Sequence, residues 1–245
     1  SLGLPALDTL GWPWSGDVAA VTRAILDGAP VTVLRTQRWP LPPLPENVTV
    51  VDAGAEPAGA VARVVVSDQL VERPQPEEPP QPVEPAETGP AVSTSVTSRS
   101  DASGAVPTVV LTPPSLVAGM GCNRGTSAAA LAALLTTTLA EAGLALASVA
   151  AITSVEAKAD ESGLIELAAD LGVPFVTYPA DVLAAEEVPN PSAHALAAVG
   201  TSSVAEASVL AHGADLVVAK RRTPEATCAI GRIPARGKLT VVGLG

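Results

Sequence analysis

The sequence predicts an α/β protein with two folded parts. The C-terminal half alternates short β-branched runs with alanine- and leucine-rich runs, and the N-terminal part has one amphipathic run followed by valine-rich runs. A proline-rich stretch separates the two parts. Alternating strands and helices are typical of a sheet with helices on its faces. We therefore expect a small N-terminal α/β piece, a disordered Pro-rich linker, and a three-layer α/β/α C-terminal domain with a mostly parallel or mixed sheet.

Changes in composition set the predicted boundaries. Residues 1–70 form the N-terminal piece, and residues 71–107 form the linker. The linker is rich in proline, acids, serine and threonine, so it cannot bury enough apolar surface to offset the entropy of ordering. Residues 108–236 form the C-terminal domain, and 237–245 resemble the first strand of a further domain.

The elements follow in order along the chain. In the N-terminal piece, apolar side chains at helical spacing predict a helix over 15–26, and β-branched runs predict three strands after it. In the C-terminal domain, strands are predicted at TVVLT, SLVAGMG, SVAAITS, PFVTY, DLVVAK and CAIGRI. The helices between them are predicted over 126–142, 163–171, 180–187 and 202–212.

Composition also excludes some classes of partner. A net charge of −11 and a pI of about 4.6 argue against nucleic acid, whose phosphates require a basic surface. No apolar run reaches the roughly 18–20 residues of a membrane span. The two cysteines form no recognisable disulfide framework or metal-ligand spacing. We expect a cytoplasmic protein without a bound metal.

The segment GMGCNRGTS, residues 119–127, joins a predicted strand to a predicted helix. Its glycines allow a sharp turn, and the amides that open a helix attract an anion. Three interpretations stay open: a tight turn capped by Thr126 or Ser127, a cradle for a carboxylate or phosphate, and a nucleophilic cysteine. The pattern does not match a dinucleotide or P-loop motif. The candidate binding residues here are Gly121, Cys122, Arg124, Gly125 and Thr126.

Later loops add further candidates. ITSVEAKADESG, residues 152–163, follows a strand with several acids and a base close together. This loop is either a site for general acid–base catalysis or a solvated loop that caps the next helix. PNPSAHA and VGTSSVAEAS open predicted helices, and AKRR closes a strand. Several cations thus follow strand ends, a pattern that suits a ligand with several carboxylates. The candidates in these loops are Lys158, Glu161, Ser192, Glu206 and Lys220.

The succession of these motifs resembles the CbiG/CobE family of cobalamin biosynthesis. The matching segments are VAGMGCNRGTS, SVEAKADESGLIELAADLGVPF and the stretch from PNPSAHA to CAIGRI, which together cover about 120 residues in order. GDVAAVTRAILDGAPVTVLRT resembles the middle region of CbiG proteins. The N-terminal domain of that family, with its Gly-Gly-His type motif, is not found in this sequence. GKLTVVGLG, residues 237–245, resembles the start of a precorrin methyltransferase, and a plain last strand is the alternative.

The resemblance implies a cobalt-precorrin-5A hydrolase, which opens a δ-lactone on the contracted tetrapyrrole and releases acetaldehyde. It implies no organic cofactor, because cobalt arrives within the substrate, and SAM enters only through a fused methyltransferase. On this basis the catalytic candidates are Glu161, Glu206 and Lys158, with one of the two glutamates as the acid–base group. The clamps for substrate carboxylates are Arg124, Lys158 and Lys220. The alternatives are a CobE-like corrinoid-binding accessory module and an adaptor that tethers a methyltransferase. The expected partners are the polycarboxylate tetrapyrrole and a second copy or another corrin-pathway enzyme.

Overall fold

The computed structural model describes residue 7 and residues 10–53, 59–71, 106–191 and 203–235. Residues 72–105 of the predicted linker, the candidate Ser192 and the segment 237–245 lie outside the described residues. Within the described residues the protein is an α/β structure with two mixed sheets, as the sequence predicts.

Within the described residues, the first unit is a five-stranded sheet with helix α1 on its face. Its strands are in the order β1-β5-β4-β2-β3, and only the β1–β5 pair is antiparallel. Helix α1 buries Val21 and Ile25 against the valine-rich strands, which is why its apolar residues recur at helical spacing. The bounds are β1 Trp14–Gly16, α1 Val18–Leu26, β2 Val31–Arg35, β3 Val48–Asp52, β4 Ala62–Val66 and β5 Thr108–Leu111.

Strand β5 corrects one assignment made from the sequence. We expected residues 108–111 in the C-terminal domain, but they form a strand of the first sheet, between β1 and β4. The physical reason is burial: Val109 and Leu111 complete the apolar core that α1 covers. The predicted linker therefore connects two neighbouring strands of one sheet rather than one domain to the next.

The second unit is also built on a five-stranded sheet, in the order β8-β7-β6-β10-β9. Four of its strands run in one direction, and β10 is antiparallel to both of its neighbours. This agrees with the predicted mostly parallel or mixed sheet. The bounds are β6 Leu116–Cys122, α2 Ala128–Glu141, β7 Val149–Val155, α3 Ser162–Leu171, β8 Phe175–Tyr178, α4 Ala180–Ala184, α5 Val204–Ala211, β9 Asp215–Arg222 and β10 Ala226–Arg232.

Helices cover both faces of this sheet. On one face, α2 and α3 pack their leucines onto Met120, Ile152 and Ile230. On the other face, α5 packs Ala205 and Val209 onto Val117 and Ala229, and α4 lies beside it. The predicted three-layer α/β/α arrangement is confirmed for the described residues.

A buried ion pair joins the two units. Asp68, directly after β4, is fully buried and accepts hydrogen bonds from Arg232 Nε at 2.6 Å and Ser115 Oγ at 3.0 Å. The Asp68 carbonyl also accepts from the Ala145 amide, and the Leu70 amide donates to the Gly143 carbonyl. The carboxyl edge of the first sheet is thus held against the amino edge of the second.

Gly119 gives a first testable prediction. A Cβ at this position in β6 would lie 2.0 Å from the backbone oxygen of Ala205 in α5, so α5 must move away from the sheet. We expect Gly119→Ala to lower the free energy of unfolding by about 2 kcal/mol, measured by urea denaturation. The control is Gly143→Ala, whose Cβ meets open space at a φ of +65° and which should lower it by about 1 kcal/mol. Equal losses for the two variants would contradict the close-approach explanation.

Candidate functional site

One edge of the second sheet collects the carboxyl ends of four strands. β8, β7 and β6 are parallel neighbours, and β9 runs the same way because both β6 and β9 are antiparallel to β10. The strand ends at Cys122, Val155, Tyr178 and Arg222 therefore lie along one edge. Open α/β sheets bind their ligands at this edge.

The same edge of the first sheet is not free along its whole length. Asp68 follows the carboxyl end of β4 and is closed off by Arg232 and Ser115 of the second unit. Further along, Arg35 donates to Asp52 at 2.5 Å, and this pairing lowers the pKa of Asp52. The second sheet therefore presents the more open carboxyl edge, and the sequence-predicted residues lie there.

The glycines of GMGCNRGTS have two different roles. Only Gly125, with a φ of +76°, forms the turn. Gly119 and Gly121 lie within β6, where a Cβ would meet Ala205 O at 2.0 Å and Thr227 Oγ1 at 2.7 Å. The expectation that all three glycines shape the turn is wrong for these two, which instead allow close packing around the strand.

The turn already binds a carboxylate of its own chain. The Gly125 amide donates to Glu161 Oε1 at 2.5 Å, and Lys158 Nζ donates to Glu161 Oε2 at 3.0 Å. The Glu161 side chain is buried, with 4% exposed, and the Lys158 side chain is partly buried, with 14% exposed. The Gly125 amide, and then Lys158, lower the pKa of Glu161. The anion predicted for this turn is therefore supplied internally by Glu161.

The other residues of the turn are also engaged within the chain. Arg124 Nη1 lies 3.4 Å from Asp160 Oδ2, and both side chains are more than two-thirds exposed. The Thr126 hydroxyl donates to the Asn123 carbonyl at 2.9 Å, while Ser127 is the residue that caps α2. Arg124 is free to exchange its exposed partner for a ligand, because such a surface pair contributes little energy.

Cys122 has the character of a packing residue. It is half-buried against the core beneath α2, and burial raises its pKa, which outweighs the opposing influence of Lys158. A reactive cysteine needs a lowered pKa, so this environment does not support a nucleophile. Cys228 is fully buried, and burial raises its pKa to about 12.

A second buried carboxylate lies at the start of α5. Glu206 is fully buried, and its Oε1 accepts from Asn190 Nδ2 at 2.8 Å and from the Lys220 amide at 3.0 Å. Glu206 Oε2 has no hydrogen-bond partner among the described residues. The Lys220 ammonium donates to the Asn190 carbonyl at 2.5 Å and to Ser203 Oγ at 3.3 Å.

The structure thus gathers the described candidates into two clusters at one edge. The first, which we call the turn cluster, contains Arg124, Gly125, Lys158 and Glu161. The second, the α5 cluster, contains Asn190, Ser203, Glu206 and Lys220. Ser192 lies outside the described residues, so its binding role stays a prediction.

Sequence reasoning missed several residues that support these clusters. Asn190 and Ser203 lie in stretches that were singled out, but only their contacts with Glu206 and Lys220 show what they do. Gly163 lets α3 approach the turn, because a Cβ there would lie 2.1 Å from the Thr126 carbonyl oxygen. No local sequence pattern predicts contacts between segments that lie so far apart in the chain.

Two further observations concern metals and membranes. No group of three His, Cys, Asp or Glu residues suited to a metal ion occurs within the part of the chain that the structure describes. Across those same residues, no helix has the length and apolar character needed to span a bilayer.

A known protein family matches the second unit of this chain. The family model described as "Cobalamin synthesis G C-terminus" matches residues 116–231, from β6 to the end of β10. Cobalt-precorrin-5A hydrolase of Priestia megaterium is 38% identical over 128 residues, which are 51% of this chain and 34% of that protein. Protein CobE of a Sinorhizobium species is 36% identical over 120 residues, which are 47% of this chain and 78% of that protein.

A solved structure is also similar to this chain. The crystal structure of CobE, a protein from the cobalamin (vitamin B12) biosynthetic pathway, shares 44% sequence identity over 49% of this chain and 91% of that chain, with a TM-score of 0.46. The chain spans only about a third of the hydrolase that it matches. The matched region defines the second unit as a C-terminal domain of the cobalamin synthesis G type. The chain belongs to the CbiG/CobE family of cobalamin biosynthesis.

Proposed function

We propose that this chain acts in corrin-ring biosynthesis on a cobalt-precorrin, as a module of the cobalt-precorrin-5A hydrolase type. The observation that carries the proposal is the α5 cluster at the carboxyl edge of the second sheet, where Lys220 lies beside the buried carboxyl of Glu206. Lysines suit a tetrapyrrole with many acetate and propionate groups, and carboxylates suit proton transfer during hydrolysis. The name of the Priestia megaterium relative, cobalt-precorrin-5A hydrolase at 38% identity, supports the same reaction.

The reaction needs proton transfer rather than an organic cofactor. Water adds to the lactone carbonyl, the acyl C–O bond breaks, and a carboxylic acid and a hydroxyl group result. The hydroxyl then loses its proton as the adjacent C–C bond breaks, so that acetaldehyde leaves. The electron pair of that bond stays on the macrocycle, whose carbon takes up a proton. Cobalt takes part only as a component of the substrate.

A second candidate is a corrinoid-binding accessory module. It is favoured by coverage, because the chain spans 78% of CobE but 34% of the Priestia hydrolase. In this case the edge would hold a corrinoid without opening its lactone. Three further expectations stay predictions: a second copy of the chain or another corrin-pathway enzyme as partner, the cytoplasmic location, and the fused methyltransferase.

Two measurements test the proposal on the full chain. We expect the purified chain to release acetaldehyde when incubated with cobalt-precorrin-5A, as measured with an aldehyde-coupled assay. We also expect a saturable change in the visible absorbance of the corrinoid on titration with the protein. Binding without acetaldehyde would support the accessory module, and the absence of both would contradict any corrinoid role for this chain.

A further inference from the structure

The two clusters differ in how completely their charges are paired. In the turn cluster, Glu161 has a donor on each oxygen, and Lys158 is paired with that carboxylate. The exposed Arg124 has Asp160 as its partner. Every charged group there has an opposite charge or a donor from its own chain. This pairing makes the turn cluster a structural unit that holds α3 against the turn.

Two charged side chains of the α5 cluster, Lys220 and Glu206, are not fully paired within the described residues. The Lys220 ammonium donates to two neutral oxygens, those of Asn190 and Ser203, and no carboxylate lies within ion-pair distance of it among the described residues. Glu206 is fully buried, and its Oε2 has no partner in that part of the chain. A buried polar atom without a partner is costly, and a catalytic role is one reason for which native proteins keep such an atom.

An open groove adjoins this cluster. It runs along β9, the edge strand of the sheet, and it is lined by the strand's residues 217–221, by Asn190 and by the end of α2. Asn190 is exposed and also donates to Glu206 Oε1. Asn190 therefore stands between the groove and the buried carboxyl, and displacement of its amide by a ligand would bring that ligand to Glu206.

We propose that Lys220 binds a substrate carboxylate in the β9 groove and that Glu206 is the group that exchanges a proton with the substrate. The inference rests on the proposed function and places the reacting centre in the α5 cluster rather than in the turn cluster. Glu206 takes a proton from the attacking water and returns it to the oxygen that leaves the lactone carbonyl. The carboxyl is regenerated, so the step needs no further reactant.

Glu161 then has a positioning role. Its two oxygens are occupied by the Gly125 amide and by Lys158, so it cannot take up a proton without breaking a buried pair. Glu206 Oε1 accepts from the Asn190 amide and from the Lys220 backbone amide, and the second donor stays in place when a ligand displaces Asn190, while Oε2 has no partner among the described residues. A carboxylate oxygen without a donor can take up a proton, as a general base must.

The test compares three variants of the full chain. Glu206→Gln keeps the size of the side chain but removes its proton exchange, and Lys220→Met keeps the length but removes the charge. Arg23→Met removes one positive charge from an exposed site on α1 and is the matched control. For each, corrinoid affinity is measured by visible absorbance, the rate by acetaldehyde release from cobalt-precorrin-5A, and stability by urea denaturation.

We expect Lys220→Met to weaken corrinoid affinity by about tenfold or more, since a charge-assisted hydrogen bond is lost. We expect Glu206→Gln to bind within about threefold of the wild type but to release acetaldehyde at least about 100-fold more slowly. Arg23→Met should match the wild type in affinity and rate.

Each contrary result would contradict a different part of the proposal. If Lys220→Met binds the corrinoid as tightly as Arg23→Met does, Lys220 does not bind a substrate carboxylate. If Glu206→Gln releases acetaldehyde within tenfold of the wild-type rate, Glu206 does not transfer the proton. Parallel losses of stability and affinity in Glu206→Gln would show a purely structural carboxyl. A wild-type chain that binds the corrinoid without releasing acetaldehyde overturns the hydrolase assignment and the role of Glu206, while Lys220→Met still decides the anchor.

Discussion

Replacing Asp68 by alanine is expected to lower the free energy of unfolding by about 3 kcal/mol, because it breaks a buried ion pair. Asp68 is fully buried, and the Arg232 side chain that it holds is only 20% exposed. The Ser115 hydroxyl, which donates to the same carboxylate, would lose its partner as well. The change is measured as the shift in urea-induced unfolding at neutral pH.

The position of this pair adds a second expectation. Asp68 joins the first unit to the second, and the three tryptophans all lie within the first 40 residues. Tryptophan fluorescence therefore reports on the first unit, whereas far-ultraviolet circular dichroism reports on both. We expect the two transitions to coincide in the wild type and to separate in Asp68→Ala, because coincident probes indicate one cooperative unit.

Asp52→Ala is the matched control for Asp68→Ala. It removes a carboxylate from the same sheet, but Asp52 is half exposed and its pairing with Arg35 lies outside the junction. We expect a much smaller change in stability and transitions that still coincide. If Asp52→Ala and Asp68→Ala behave alike, the junction does not couple the two units.

Replacing Glu161 by alanine has the second large expected effect, a loss of about 3 kcal/mol in the free energy of unfolding. The partly buried Lys158 ammonium would be left without a counter-charge, and the Gly125 amide would lose its acceptor. The neighbouring Asp160→Ala is the control: its pair with Arg124 is exposed, so it should lower stability by less than about 1 kcal/mol. Similar losses in the two variants would contradict a stabilising role for the buried pair.

The same pair makes stability depend on pH in a defined direction. The Gly125 amide and Lys158 lower the pKa of Glu161 in the folded state, so the carboxylate stabilises the fold above its unfolded pKa of about 4.3. This stabilisation is lost as the pH falls through the lower pKa of the folded state. The difference in unfolding free energy between wild type and Glu161→Gln should therefore be constant above about pH 5 and shrink at lower pH. A difference that does not change with pH would contradict the lowered pKa.

The sequence predicted most of the fold because its patterns are local. Strands such as β7 and β9 are marked by β-branched runs, and α2 and α3 lie within a residue or two of the predicted ranges. The one antiparallel strand and the helices on both faces of the second sheet also agree with the prediction. The order of motifs was enough to indicate the CbiG/CobE family, to which the chain belongs.

The pairing of charges could not be predicted in this way. The sequence showed Lys158, Lys220, Glu161 and Glu206 as equal candidates, because the residue types and their places after strands are alike. Only the contacts show that Glu161 is bound on both oxygens and that one oxygen of Glu206 has no partner within the described part of the chain. These contacts join segments far apart in the chain, such as 125 with 161 and 190 with 206.

The sequence by itself therefore determined most of the elements, though not β1, and also the three layers of the second unit, the family and the edge at which the candidate residues gather. Hydrophobic period and strand–helix order carry that information, and both are local properties of the chain. The tertiary structure decided that β5 belongs to the first sheet, that Asp68 joins the units, and that the turn's amide is bound by Glu161. Burial and hydrogen-bond pairing decide these features, and both depend on which distant residues the fold brings together.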